Sequence, residues 1–179
     1  MIVIAPAPIG VSVQEPTPPE KPEDMALVAR GTSIPVATGE RLTTKYEFAR
    51  VLECRAAAIL QMALGRVGGI WEAKKIAGMA ETYYAQIAPH LYAGPVEGTA
   101  NIHFAASLPN FLILESIEEW GGFHADLLKK PILWQDGYVI PPTEPGLGIE
   151  LDEDKLADKI GHDWQNPKAY AEDGSAIDW

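Results

Sequence analysis

Cysteine is nearly missing from this chain. Cys54 is the single one in 179 residues, so no intramolecular disulfide can form, and that usage fits a reducing, cytoplasmic home. Basic residues are also scarce. Fourteen Lys and Arg face 25 Asp and Glu, a formal net charge of -11, which argues against nucleic acid as a partner because phosphate contact needs a basic face. No apolar run reaches the roughly 18 residues that cross a bilayer, so no membrane span is expected. The apolar start MIVIAPAPIGVSV has neither a basic lead nor a convincing cleavage site, and does not read as a signal peptide. No pair of His or Cys has zinc spacing. GRVGG lacks the lysine and spacing of a phosphate loop and is no GxGxxG fingerprint; it reads as a turn and helix start.

What is present is a rhythm. The runs VSVQEP, PVATGE, AAILQMALGRVGG, AQIAPH and NFLILE bring Glu15, Glu40, Ala63, His90 and Glu115 to their ends, about 25 residues apart. Short apolar strand, polar end, then amphipathic helix is the order of a (β/α) barrel, whose chemistry sits at the strand C-termini. The composition, 47% apolar and 22% charged, is that of a folded domain, and the length suffices to bury a core.

Local signals place the helices between these strands. Pro22 suits a first helical position, with Glu23 and Asp24 at the positive end of the dipole, Met25, Val28 and Ala29 sharing a face, and Gly31 as the stop. Thr44 and Glu47 form a capping-box pattern ahead of YEFARVLEC, which carries Cys54 as a small helix residue. WEAKKIAGMAETYY puts Ile76, Met79 and Ala80 on one side, and EGTANIHFAAS is the fourth helix. Such alternation implies parallel strands with right-handed crossovers.

A closed barrel has eight strands and about 250 residues. Residues 1–119 therefore read as the second half of one: α/β, a partial TIM-type barrel of about the last five strands. Residues 120–179 read as a C-terminal hairpin with Asp136-Gly137 as its turn, then a short acidic helix and an extended acidic tail. From Glu144 onward ten acidic residues face three lysines, the pattern of a solvated tail.

The polar strand ends are the candidates for chemistry. Glu40, between Gly39 and Arg41, can bind a hard divalent cation such as Mg²⁺ or make a surface pair. Glu15, before Pro16, is a ligand, a support for one, or an exposed residue. His90 in APHLYAGP can work as a general acid or base near neutral pH. Glu115, after four apolar residues, needs a partner or solvent, which a barrel mouth supplies. His103 reads as structural, and His124 and His162 receive no role.

The motifs QEPTPPEKPEDM, IPVATGERL, LGRVGGIWEAKKIAGMAE, AQIAPHLYAGP, FLILE, DGYVIPPTEPGLGIELDE and WQNPKAYAEDGS together resemble the C-terminal barrel of the mandelate racemase/muconate lactonizing enzyme group of the enolase superfamily. Within that group the chain looks most like the galactonate-dehydratase-like acid-sugar dehydratases. The resemblance implies a capping domain and a modified barrel. It also implies Mg²⁺ held by carboxylates of the third, fourth and fifth strands, removal of the proton α to a substrate carboxylate, and loss of the β-hydroxyl. On those terms Glu40 is the fifth-strand ligand. Gln14 stands where the fourth-strand carboxylate belongs, with Glu15 beside it, so both are secondary candidates. His90 is the seventh-strand acid/base, and Glu115 is the eighth-strand substrate contact. The aspartate that ordinarily partners that histidine is replaced by Ala63, so the imidazole is expected to lack its orienting carboxylate.

The resemblance thus implies a lyase acting on a small sugar acid with Mg²⁺, at a metal site incomplete in this chain. Two alternatives stand beside it: a truncated, non-catalytic remnant or half barrel that needs a partner, and a racemase or cycloisomerase of the same superfamily. The isolated chain is expected to show no measurable turnover. It is also expected to form homo-oligomers or to self-associate through its open barrel edges.

Overall fold

The computed structural model of the chain describes residues 2–5, 12–116, 120–157, 161 and 171–175. Most of the stretch read as an extended tail, with His162, lies outside the described residues.

Strand β1 is Ile2–Ala5 and β2 is Val13–Gln14. Helix α1, Pro22–Gly31, starts with proline in its first turn, carries Glu23 and Asp24 there and Arg30 in its last turn, and buries Met25 and Ala26. β3 is Val36–Thr38. α2, Lys45–Glu53, forms because Thr44 and Glu47 close the capping box: the Thr44 side chain accepts from the Glu47 N–H while the Glu47 carboxylate takes the Thr44 N–H. Cys54 caps its C-terminus instead of lying within it, and its Sγ donates to the Val51 carbonyl. β4 is Ile59–Leu60, followed by the short α3, Leu64–Val67, and α4, Ile70–Thr82. β5 (Gln86–Ile87), α5 (Pro95–Ala106) and β6 (Leu114–Glu115) complete the series.

Strands β2, β3, β4 and β5 lie side by side in that order, all parallel. A parallel bridge from Ile87 to Phe111 carries the pairing on towards β6, with Ile87 N–H on the Asn110 carbonyl and Leu112 N–H on the Ile87 carbonyl. This is the half-barrel arrangement that the rhythm implies. The regular strands are shorter than the apolar runs, because the ladder continues as single bonds past each strand. Glu15 N–H reaches Ala37 O, Ala88 N–H reaches Leu60 O, and His90 N–H reaches Met62 O.

The N-terminal run departs from the sequence reading, which gave it no strand. β1 pairs parallel with β6 and antiparallel with a strand of the late hairpin, so β6 gains a neighbour where the five-strand reading left an edge. An apolar run of four residues has too little pattern to declare itself a strand, and its pairing is settled by contacts remote in sequence.

Alternate strand residues face opposite layers. Val36, Leu60 and Ile87 point into the helix-side core with Met25, Phe48, Leu52, Ile76 and Phe104, all buried. Each such side chain stabilises the fold by about 1.5–3 kcal/mol. Ala37, Ile59 and Ala88 form a smaller cluster on the other face with Leu112 and Ile113 packed against it. Burial on both faces is what parallel strands require.

Past β6 come α6 (Phe123–Asp126), the hairpin β7 (Trp134–Gln135) and β8 (Tyr138–Val139), and α7 (Glu153–Ala157). The hairpin turn is Asp136-Gly137 as read, with φ of 52° and 79°, the two positive values a type I′ turn needs. Trp120 fixes this region to α5. Its indole donates to Ala93 O at 3.0 Å and packs at 5.4 Å from the Trp134 ring. Gly98 makes room for it, since a Cβ there would lie 2.2 Å from the Trp120 ring. His103 Nε2 meets the Leu147 carbonyl at 2.9 Å. Among the described residues no helix is long and apolar enough to cross a membrane.

Candidate active site

The parallel strands deliver their polar residues to one end of the sheet. Glu40 follows β3, Ala63 follows β4, His90 follows β5 and Glu115 ends β6. Ala63 and His90 are parallel bridge partners. His90 Nδ1 lies 2.8 Å from Glu115 Oε2 and 3.3 Å from Glu40 Oε2. Glu115 is buried, 4% exposed, whereas Glu40 keeps solvent access. The three predicted residues therefore form one cluster.

The expectation that Ala63 strips His90 of an orienting carboxylate is corrected by this geometry. A methyl group at residue 63 offers nothing, but Glu115 reaches the same ring nitrogen from β6. Burial by itself would lower the His90 pKa. The hydrogen bond and charge of Glu115, with the charge of Glu40, outweigh burial and an opposing Arg66, and hold it above the ordinary histidine value.

A cavity of about 590 Å³ opens beside the cluster, lined by Glu40, Ala63, Gly65, Arg66, His90, Tyr92 and Glu97. Arg66, Tyr92 and Glu97 were not among the residues singled out from sequence. Arg66 Nη1 donates to the Glu40 carbonyl at 3.0 Å, and Glu97 accepts the Gly65 N–H at 2.9 Å. Their signal was position: each lies in the loop or first helical turn after a strand end, where a barrel places its site.

Gln14 and Glu15 stand apart from the cluster. Glu15 has φ of 41°, and its Oε1 accepts from Thr38 Oγ1 and Gly39 N–H, both at 2.8 Å. Its Oε2 and the Gln14 Nε2 are buried without partners. Gly39 is required here: its φ is 137°, and a Cβ would meet the Phe48 ring at 2.7 Å.

Mg²⁺ demands near-octahedral oxygen ligands. Here Glu15 spends one oxygen on the β3 turn, Gln14 contributes no charge, and Glu40 and Glu115 both face His90. Among the described residues no group of three His, Cys, Asp or Glu is arranged to hold a metal ion. The donors of this chain do not fit the three-carboxylate site that the resemblance implies.

Parallel βα units with a histidine–carboxylate cluster and a cavity at the strand C-termini define part of a (β/α) barrel. The chain belongs to the enolase C-terminal domain-like family, whose sequence model matches residues 11–155, and its relatives are of the mandelate racemase/muconate lactonizing type. It is 38% identical over 178 residues to the D-galactonate dehydratase of Ralstonia nicotianae, covering 93% of this chain and 46% of that protein. It is 64% identical to a mandelate racemase/muconate lactonizing enzyme from Sulfitobacter sp., with a TM-score of 0.76 over 80% of this chain and 36% of the other. An enolase from Agrobacterium radiobacter, a candidate galactarate dehydratase solved with sodium and L-malate bound, is 34% identical, with a TM-score of 0.80 over 91% and 45%. The chain thus spans less than half the length of these relatives.

Proposed function

We propose that this chain carries the acid/base half of an acid-sugar dehydratase, a hydro-lyase site that is incomplete in these residues alone. The observation that carries the reading is His90, held at Nδ1 by a buried carboxylate and lining a cavity at the strand ends. The D-galactonate dehydratase relative supports the substrate class, a small polyhydroxy acid.

In such a reaction the proton α to the substrate carboxylate leaves and the β-hydroxyl departs as water. With Nδ1 engaged, Nε2 of His90 is the nitrogen that exchanges a proton with a ligand. A pKa held above the ordinary value keeps imidazolium available near neutral pH, which suits delivery of a proton to the departing hydroxyl. Glu115 supports His90 from β6, and Glu40 stands at the cavity wall. Removing an α-proton needs strong stabilisation of the negative charge that develops. The cavity lining offers two carboxylates against Arg66 and His90, so that stabilisation, Mg²⁺ in this family, must draw on groups beyond this donor set. Among the described residues β2 is the terminal strand of its sheet, and that edge supports self-association as well; light scattering that finds a stable monomer at high concentration would remove that part.

The test is a panel of aldonates and aldarates with Mg²⁺. The chain alone is expected to give no measurable dehydration. Mixed with a polypeptide supplying a relative's capping domain and earlier barrel strands, it is expected to turn over galactonate-like acids, and His90→Asn is expected to abolish this. A folded mixture that leaves every acid untouched would favour the non-catalytic remnant.

A further inference from the structure

We infer that Glu115 is the positioning residue of His90, supplying from β6 the carboxylate that residue 63 does not provide from β4. The inference rests on the reading of His90 as the acid/base and deepens it. Three observations carry it. Ala63 and His90 are parallel bridge partners, so their side chains share a face, and Ala63 is buried with only a methyl group to offer. Glu115 Oε2 instead meets Nδ1 at 2.8 Å, the shorter of its two carboxylate contacts. Glu115 is also nearly closed to solvent while Glu40 is about a third exposed, so the Glu115 contact is the less screened.

A carboxylate at Nδ1 fixes the neutral ring as the Nδ1–H tautomer, because only a protonated nitrogen can donate to it. Nε2 is then bare in the neutral ring and able to accept a proton. The role differs from a substrate contact: Glu115 acts through the imidazole, and its absence alters which nitrogen carries the proton even with no substrate present.

The experiment reads the tautomer of His90 by ¹⁵N NMR on the whole chain, without substrate or metal. The wild type is expected to hold its neutral-ring proton on Nδ1. Glu115→Leu is expected to lose that bias and move towards the Nε2–H form that free imidazole side chains prefer, while Glu40→Gln keeps it. Ala63→Asp added to Glu115→Leu is expected to restore Nδ1–H, with the other amide resonances reporting an intact fold. A wild-type ring protonated on Nε2 overturns the inference whether or not any variant folds. So does a folded Glu115→Leu chain with an unchanged tautomer, or a folded double variant that fails to recover it. The readout needs no turnover, so a chain that never dehydrates a sugar acid leaves it intact.

Discussion

The two sides of the barrel mouth end in the same kinds of residue and use them in opposite ways. Around His90, Glu115 from β6 and Glu40 from the end of β3 both meet the same ring nitrogen. On the β2 side, Gln14 Nε2, Glu15 Oε2, Ser12 Oγ and Thr17 Oγ1 are all buried without partners. Each unsatisfied buried group costs about 1–3 kcal/mol, and folded chains leave few of them. One side is a set of charged groups paired with one another. The other is a set of groups whose hydrogen-bonding capacity is unspent. Family resemblance assigns both sides to one reaction, but only the first is complete in its pairing in this chain.

The largest expected effect comes from the turn that joins the two sides. Gly39 donates to Glu15, precedes Glu40 and holds a backbone conformation that L-residues avoid. Gly39→Ala should destabilise by about 3–5 kcal/mol, the sum of backbone strain and a clash with Phe48. Urea unfolding measures it. A loss under about 1 kcal/mol would mean that the turn is not rigid and that the two sides are not held in register.

Glu115→Gln tests the complete side. It should cost about 1.5–3 kcal/mol near pH 6, the worth of a hydrogen bond to a charged group. The pH dependence follows with a definite sign. His90 is raised in the folded chain above its ordinary 6.5. Its contribution is therefore fully present below about 6.5, where the unfolded histidine is also protonated, and is lost as pH rises through the raised folded value. Between about pH 6 and pH 9 the wild type should lose more stability than His90→Asn does. Parallel curves for the two proteins would show that the carboxylates do not stabilise the imidazolium.

Much of this was legible in the residues, and the limits have physical causes. The capping box at Thr44 and Glu47, Pro22 in the first turn of α1 and the Asp136-Gly137 turn depend on local chemistry, so they read correctly. The parallel order of β2 to β5 followed from the alternation of strands and helices. β1 did not, because its partners β6 and β8 lie at the far end of the chain. The strand-end rule picked out His90, Glu40 and Glu115, which the fold brings together, but not which carboxylate would take Nδ1. That depends on side-chain reach across neighbouring strands, and sequence spacing carries no record of it. Ala63 was read as a loss for the same reason.

The smallest effect belongs to the incomplete side. Glu15→Gln keeps the oxygen that accepts from Thr38 Oγ1 and Gly39 N–H and replaces the unpartnered Oε2 with an amide nitrogen. One orphan acceptor becomes one orphan donor, and a partly buried charge disappears. Neither change removes a bond the folded chain makes, so stability should stay within about 1 kcal/mol of wild type. The contrast with Glu115→Gln is the point of the measurement. The two substitutions are chemically identical, at carboxylates that both end parallel strands, and they should differ because Glu115 meets His90, whereas the Glu15 contacts among the described residues are to neutral donors. Equal losses at the two sites, measured in one buffer by urea unfolding, would show that Glu15 is as fully engaged as Glu115 and would dissolve the distinction between the two sides of the mouth.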